Sequence, residues 1–130
     1  MVFEPSASLY YGWELTDKKK LYKYLRDNYN IPDHTDRDIE EDLSNELFEV
    51  KFKKLNFKSI GFQDSNREFT YRHFILIKEF YVRCDTNTGI EEFNPSEELK
   101  KVLKSDLRQV REMGCLGTPT IILQSSTGVY

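Results

Sequence analysis

Residues 48–83 read FEVKFKKLNFKSIGFQDSNREFTYRHFILIKEFYVR, and their pattern decides the fold. Phe48, Val50 and Phe52 alternate with Glu49, Lys51 and Lys53, the period-two signature of a strand with one buried face. The phase slips at Lys53-Lys54 and resumes with Leu55 and Phe57. That slip predicts a β-bulge, because one extra residue shifts the side chains to the other face without ending the strand. A polar loop, Gln63-Asp64-Ser65-Asn66-Arg67, leads into a second strand-like arm, Glu68–Arg83. Arms of nearly equal length predict a long antiparallel hairpin centred on Ser65. Without the bulge, Lys51 would face Glu79 as an opposite-charge pair.

On the N-terminal side, residues 7–15 predict a strand with Leu9, Tyr11, Trp13 and Leu15 on one face and Ser8, Tyr10, Gly12 and Glu14 on the other. Thr16 stands where a helix N-cap belongs, and Asp17 suits the positive end of the helix dipole. Leu21, Tyr24 and Leu25 form the stripe of a helix ending near Asn28, with a basic outer face of Lys18, Lys19, Lys20, Lys23 and Arg26. Residues 28–35 form a loop, since Pro32 bars a helix there. Thr35 and Asp38 are spaced as a capping box for a further helix, whose narrow stripe is Ile39 and Leu43, with Leu47 if it extends that far. Between 33 and 49 stand Asp33, Asp36, Asp38, Glu40, Glu41, Asp42, Glu46 and Glu49 against the single base Arg37, so this helix is acidic.

On the C-terminal side, residues 85–94 form a loop around the turn-forming Asn87-Thr88-Gly89. Leu99, Val102, Leu103, Leu107, Val110 and Met113 then predict one amphipathic helix, broken in its apolar set by Asp106 alone. Ser96 or Asn94 caps it and Gly114 stops it. A last strand, Thr120–Gln124, precedes a polar tail.

The expected order is strand, helix, acidic helix, strand, strand, helix, strand. Two right-handed split βαβ units of this kind predict an α+β, ferredoxin-like βαββαβ two-layer sandwich. The acidic helix is inserted after the first helix, the hairpin is long and bulged, and the first and third strands are central. With 130 residues the chain is expected to be a single globular domain, 1–130. Its nine Phe, eight Tyr and one Trp are enough aromatic surface for a core. The net charge of −3 argues against nucleic-acid partners, which call for a basic surplus. No apolar run is long enough for a membrane helix, the start lacks the features of a secretory signal, and Cys84 and Cys115 are far apart. A cytoplasmic or nuclear protein with reduced thiols is therefore expected.

If helices cover one side of the sheet only, rings on both sides of a strand need a purpose. Tyr10 opposes the face of Trp13, and Phe74 opposes that of His73. The expectation is an uncovered face whose aromatic residues dock a protein partner or a second copy of the chain, and the acidic helix is a second such surface. The candidate binding residues are Tyr10, Trp13, Arg72, His73, Phe74 and Arg83. A competing expectation is a small enzyme or ligand-binding domain with a pocket near 85–94, using His73, Arg72, Arg83 and Tyr81. The topology is shared with RNA-recognition domains, but the strand Arg72–Phe80 lacks their Gly-aromatic pattern. Residues 114–123, Gly-Cys-Leu-Gly-Thr-Pro-Thr-Ile-Ile-Leu, resemble the segment before a late strand in thioredoxin-like proteins, where a cis-proline follows Thr. That resemblance implies redox work only with a Cys-x-x-Cys at the first helix, and Trp13–Lys18 contains no cysteine. His34 with Asp33, Asp36 and Asp38 fits no standard metal site. An EF-hand loop begun at Asp36 would have Glu41 and Leu47 where Gly and Glu belong. No catalytic residues, metal or cofactor are expected.

Overall fold

The computed structural model describes residues 3–29, 35–45, 50–63, 65–83, 92–115 and 117–129, with the side chains of 3–6, 82–83 and 125–129 excepted. Along the chain run β1 (Phe3–Glu14), α1 (Lys18–Tyr29), α2 (Asp36–Ser44), β2 (Asn56–Gln63), β3 (Phe69–Arg83), α3 (Pro95–Lys100), α4 (Lys104–Glu112) and β4 (Thr120–Val129). The four strands form one antiparallel open sheet in the order β2-β3-β1-β4, so the chain is α+β with β3 and β1 in the middle.

One face carries the main core. Trp13, Leu15 and Ile75 from the sheet meet Leu21, Tyr22 and Leu25 of α1, Ile39 and Leu43 of α2, and Val110 and Met113 of α4. The opposite face holds a smaller cluster, Tyr10, Phe74 and Leu76, with Ile60 and Ile122 packed beside it. Both clusters follow from strand alternation, which sends neighbouring side chains to opposite sides.

Helix starts follow local hydrogen-bonding needs. Thr35 and Asp38 form the reciprocal capping box of α2. Asn94 caps α3 by accepting from the Ser96 and Glu97 amides. In α1 the cap is Asp17 rather than Thr16, since the Asp17 carboxylate accepts from the Lys20 amide at 3.2 Å. After α4 the chain reverses at Gly114, whose φ of 99° is costly for any residue with a Cβ.

Three sequence expectations need correction. First, no strand occupies 50–55, and β2 begins only at Asn56. The Lys53 and Lys54 amides instead donate to Oδ1 and Oδ2 of Asp106, each at 3.1 Å. Captured amides cannot join a ladder, so the slip in phase marks a break in the strand and not a bulge. Val50, Phe52 and Leu55 pack on the main core from this turn. Residues 48 and 49 lie outside the described set, as does the proposed extension of α2 to Leu47.

The register irregularity sits elsewhere. Tyr11 pairs with Lys78 but Gly12 pairs with Leu76, leaving Ile77 as an extra residue on β3. The hairpin pairs Gln63 with Phe69 and centres on Asn66, and Glu79 meets Lys58 rather than Lys51.

Second, the single helix expected over 99–113 is two. The Lys101 and Val102 amides bond back to Glu98 and Leu99, a three-residue spacing that tightens and ends α3. Helical bonding resumes when the Leu107 amide reaches the Leu103 carbonyl. Restarting the helix lets α4 carry Asp106 to the amides of 53–54 while Val110 and Met113 enter the core.

Third, β1 starts at Phe3 and β4 runs to Val129, well beyond the expected limits. Phe3, Glu4 and Pro5 pair with Val129, Gly128 and Thr127. Pro5 lies past the end of the β1–β3 ladder and pairs on the β4 side only, a place where a missing amide is tolerated.

Candidate functional site

The sheet face without helices is where the sequence places its docking rings. Tyr10 and Phe74 do lie there, but they are 4% and 2% exposed, so the expectation of rings open to solvent is corrected. The cover is built from long charged side chains. The Lys58 ammonium lies 5.2 Å from the Tyr10 ring centroid, and the Arg72 guanidinium 5.4 Å from that of Phe74. Each cation also has a carboxylate, Lys58 with Glu79 and Arg72 with Glu14, the latter through two guanidinium nitrogens. The Glu14 bonds raise the Arg72 pKa further. The Tyr10 hydroxyl donates to Gln124 Oε1 at 3.2 Å. Cations held over the rings, together with Ile60 and Ile122 packed beside them, help to hide this apolar surface on a face to which no described helix contributes.

Trp13 and His73 stand on the opposite, helix-covered face. Trp13 is 6% exposed and donates from Nε1 to the Gly117 carbonyl at 3.1 Å. Arg83 pairs through its backbone with Ser6, and its side chain lies outside the described residues. The six candidates thus do not form one site: Tyr10, Arg72 and Phe74 share one face, Trp13 and His73 the other. The pocket expected near 85–94 falls on a segment of which only 92–94 are described. Its proposed polar residues do not converge either, since Arg72 and His73 point to opposite faces and Tyr81 is 60% exposed toward the far end of β3. His34 and Cys84 lie outside the described residues, and no group of three metal-ligating side chains occurs among the described ones.

His73 is the most unusual titratable group described. Its Nδ1 lies 2.7 Å from Ser59 Oγ, which is 3.1 Å from the Leu43 carbonyl oxygen at the end of α2. The Ser59 hydroxyl has one proton to give, and Leu43 receives it. Nδ1 is then the protonated ring nitrogen, donating to Ser59. Nε2 is buried and has no hydrogen-bond partner among the described residues. The ring stacks on Phe57 with 14° between planes. Burial lowers the His73 pKa, Lys18 adds to the effect, and Glu40 and Glu14 oppose it.

A pH dependence follows. The unfolded chain, with the ordinary value of 6.5, takes up the proton before the folded one does. The stabilising contribution is complete above that pH and is lost as the pH falls below it. Urea midpoints measured at about pH 7.5 and about pH 5 are expected to separate in the native chain and to draw together in His73→Gln. An equal separation in both proteins would clear His73 of the effect.

The acidic and basic helices are joined to one another. Lys18 Nζ is 2.6 Å from Glu40 Oε1, and Arg26 pairs with Asp36. Burial and the neighbouring Glu40 push the Tyr22 phenol up to about 12, and its hydroxyl contacts Glu40 at 3.5 Å.

Two surface features were missed in the sequence reading. The edge strand β4 exposes Ile121 at 51% and Leu123 at 69%, beside Leu9 and Tyr11 of β1. Residues 120–129, TIILQSSTGV, contain no charge, although 32% of the chain is Asp, Glu, Lys or Arg. That long uncharged run was the available signal. The second feature is a cavity between α3, α4 and residues 117–119. It was hidden from the sequence because it depends on the break between the helices.

The Thr118–Pro119 bond is trans, unlike the proline of the thioredoxin-like segment that residues 114–123 resemble. Comparison of the chain with protein-family models, with curated proteins and with solved structures finds no match.

Proposed function

We propose that this chain is a small intracellular interaction module without catalytic activity, of ferredoxin-like topology, that docks a second copy of itself. The strand order β2-β3-β1-β4 and the packing of α1, α2, α3 and α4 on the same core support the topology. The Cys115 thiol is buried, and burial pushes its pKa up to about 11. No helix among the described residues is long and apolar enough to cross a membrane.

The docking surface in this reading is the outer edge of β4, in place of the ring-bearing face and the acidic helix. One observation carries it: a ten-residue edge strand, hydrogen-bonded among the described residues to β1 alone, that lacks charge and exposes Ile121 and Leu123. Free edges are ordinarily guarded by lysines, prolines or bulges, because an unpaired ladder recruits another strand. An uncharged strand meeting its own antiparallel copy brings no like charges together, so a second copy fits it. The other surfaces are already engaged, the ring face by Lys58–Glu79 and Arg72–Glu14 and the acidic helix by α1.

Light scattering after gel filtration tests this. The native chain is expected to run as a dimer at tens of micromolar, and Ile121→Lys with Leu123→Lys as a folded monomer. A native chain that is monomeric throughout that range removes the reading, as does a dimer indifferent to both lysines.

A further inference from the structure

We propose that the cavity between α3, α4 and residues 117–119 binds a small organic carboxylate with an apolar body. Trp13, Leu99, Leu107, Val110 and Pro119 wall a space of about 390 Å³. Small-ligand sites occupy roughly 300–1,000 Å³ and are walled mainly by such side chains, with a few polar groups to orient the guest. Leu99 comes from α3, whereas Leu107 and Val110 come from α4. The turn at 101–103 therefore sets the separation of the walls, and a continuous helix would not place these side chains in the same way. Trp13 is a fixed wall, held by its bond to the Gly117 carbonyl and 94% removed from solvent by its 6% exposure.

Charge selects the guest. Arg111 is the one charged residue lining this space, and no carboxylate lines it. Among the described residues its guanidinium has no ion-pair partner, in contrast to Arg26 and Arg72. Arg111 also borders the neighbouring hollow that holds Asp27 and Glu112, and an arginine that turns toward the apolar cavity is suited to a carboxylate, which accepts from two guanidinium nitrogens at once. Thr118 adds a hydroxyl to the same lining. The Cys115 thiol also lines the cavity, where burial pushes its pKa up to about 11. This inference is independent of the dimer, whose surface is the outer edge of β4.

Trp13 is the only tryptophan in the chain and walls this cavity, so its emission serves as the signal. Octanoate serves as the probe, with 1-octanol as its uncharged counterpart. Titration of the full chain with octanoate is expected to change the emission saturably. Arg111→Gln, an exposed position that leaves the walls in place, is expected to weaken octanoate about tenfold or more and to leave the response to octanol unchanged. Leu107→Phe, which narrows the space without adding a second indole, is expected to weaken the response to both probes, with circular dichroism confirming that the variant is folded. The absence of a saturable response to octanoate overturns the proposal. So does octanoate binding that Arg111→Gln leaves intact.

Discussion

Asp106→Ala is expected to lower the stability of the chain by roughly 2–4 kcal/mol, because two hydrogen bonds to one buried carboxylate disappear and two backbone amides lose their acceptors. A single domain holds only about 5–15 kcal/mol in total, so urea denaturation should show a large fall in midpoint at unchanged slope. The informative comparison is Asp106→Leu. Leucine completes the apolar stripe of α4 and is the better helix former, so an account based on helix pattern alone expects it to stabilise. Because the Lys53 and Lys54 amides both depend on this side chain, Asp106→Leu is instead expected to be nearly as damaging as alanine. Asp106→Asn, which keeps one acceptor oxygen, should fall between. A leucine variant as stable as the native chain would mean that the two amides are satisfied without the carboxylate.

Gly12→Ala is expected to cost about 3 kcal/mol or more, at the severe end of single substitutions. A Cβ at Gly12 would stand 2.0 Å from the Ile75 carbonyl oxygen and 2.8 Å from the Leu76 Cα. Both are backbone atoms of the neighbouring central strand, so relief requires β1 and β3 to part where Ile77 already disturbs the ladder. Gly61 is the control. A Cβ there would meet the Phe69 ring at 2.6 Å, and Phe69 is a 64% exposed side chain that can turn away. Gly61→Ala is therefore expected to cost less than about 1 kcal/mol. Thermal or urea unfolding of the pair checks the contrast, and a Gly12→Ala protein as stable as Gly61→Ala would show that the strands adjust freely at the bulge.

These two positions also show where the sequence could be read and where it could not. Alternation in Tyr10, Tyr11 and Trp13 was enough to assign faces, and the spacing of Thr35 and Asp38 was enough to place the start of α2. Both are local patterns. Asp106 was visible as the one polar residue in an apolar stripe, but its partners lie 52 and 53 residues away in sequence. The phase slip at Lys53-Lys54 and the interruption at Asp106 are two ends of one contact, and neither alone reveals the other. The surroundings of the candidate site residues were illegible for a similar reason. Sequence periodicity tells which face a ring occupies, not whether a lysine or arginine from a neighbouring strand lies over it. The cavity beside Trp13 depends on the angle between two short helices, and that angle is a tertiary quantity.

The ring-bearing face of the sheet has a consequence for how this molecule meets its surroundings. Tyr10 and Phe74 are kept dry by hinged arms, Lys58 and Arg72, latched electrostatically to Glu79 and Glu14. Such latches weaken as electrolyte is added, whereas a lid of folded chain would not. Added electrolyte is thus expected to loosen the charged part of the cover over these two rings, so that the same polypeptide would present a more ionic skin in dilute buffer and an oilier one in brine.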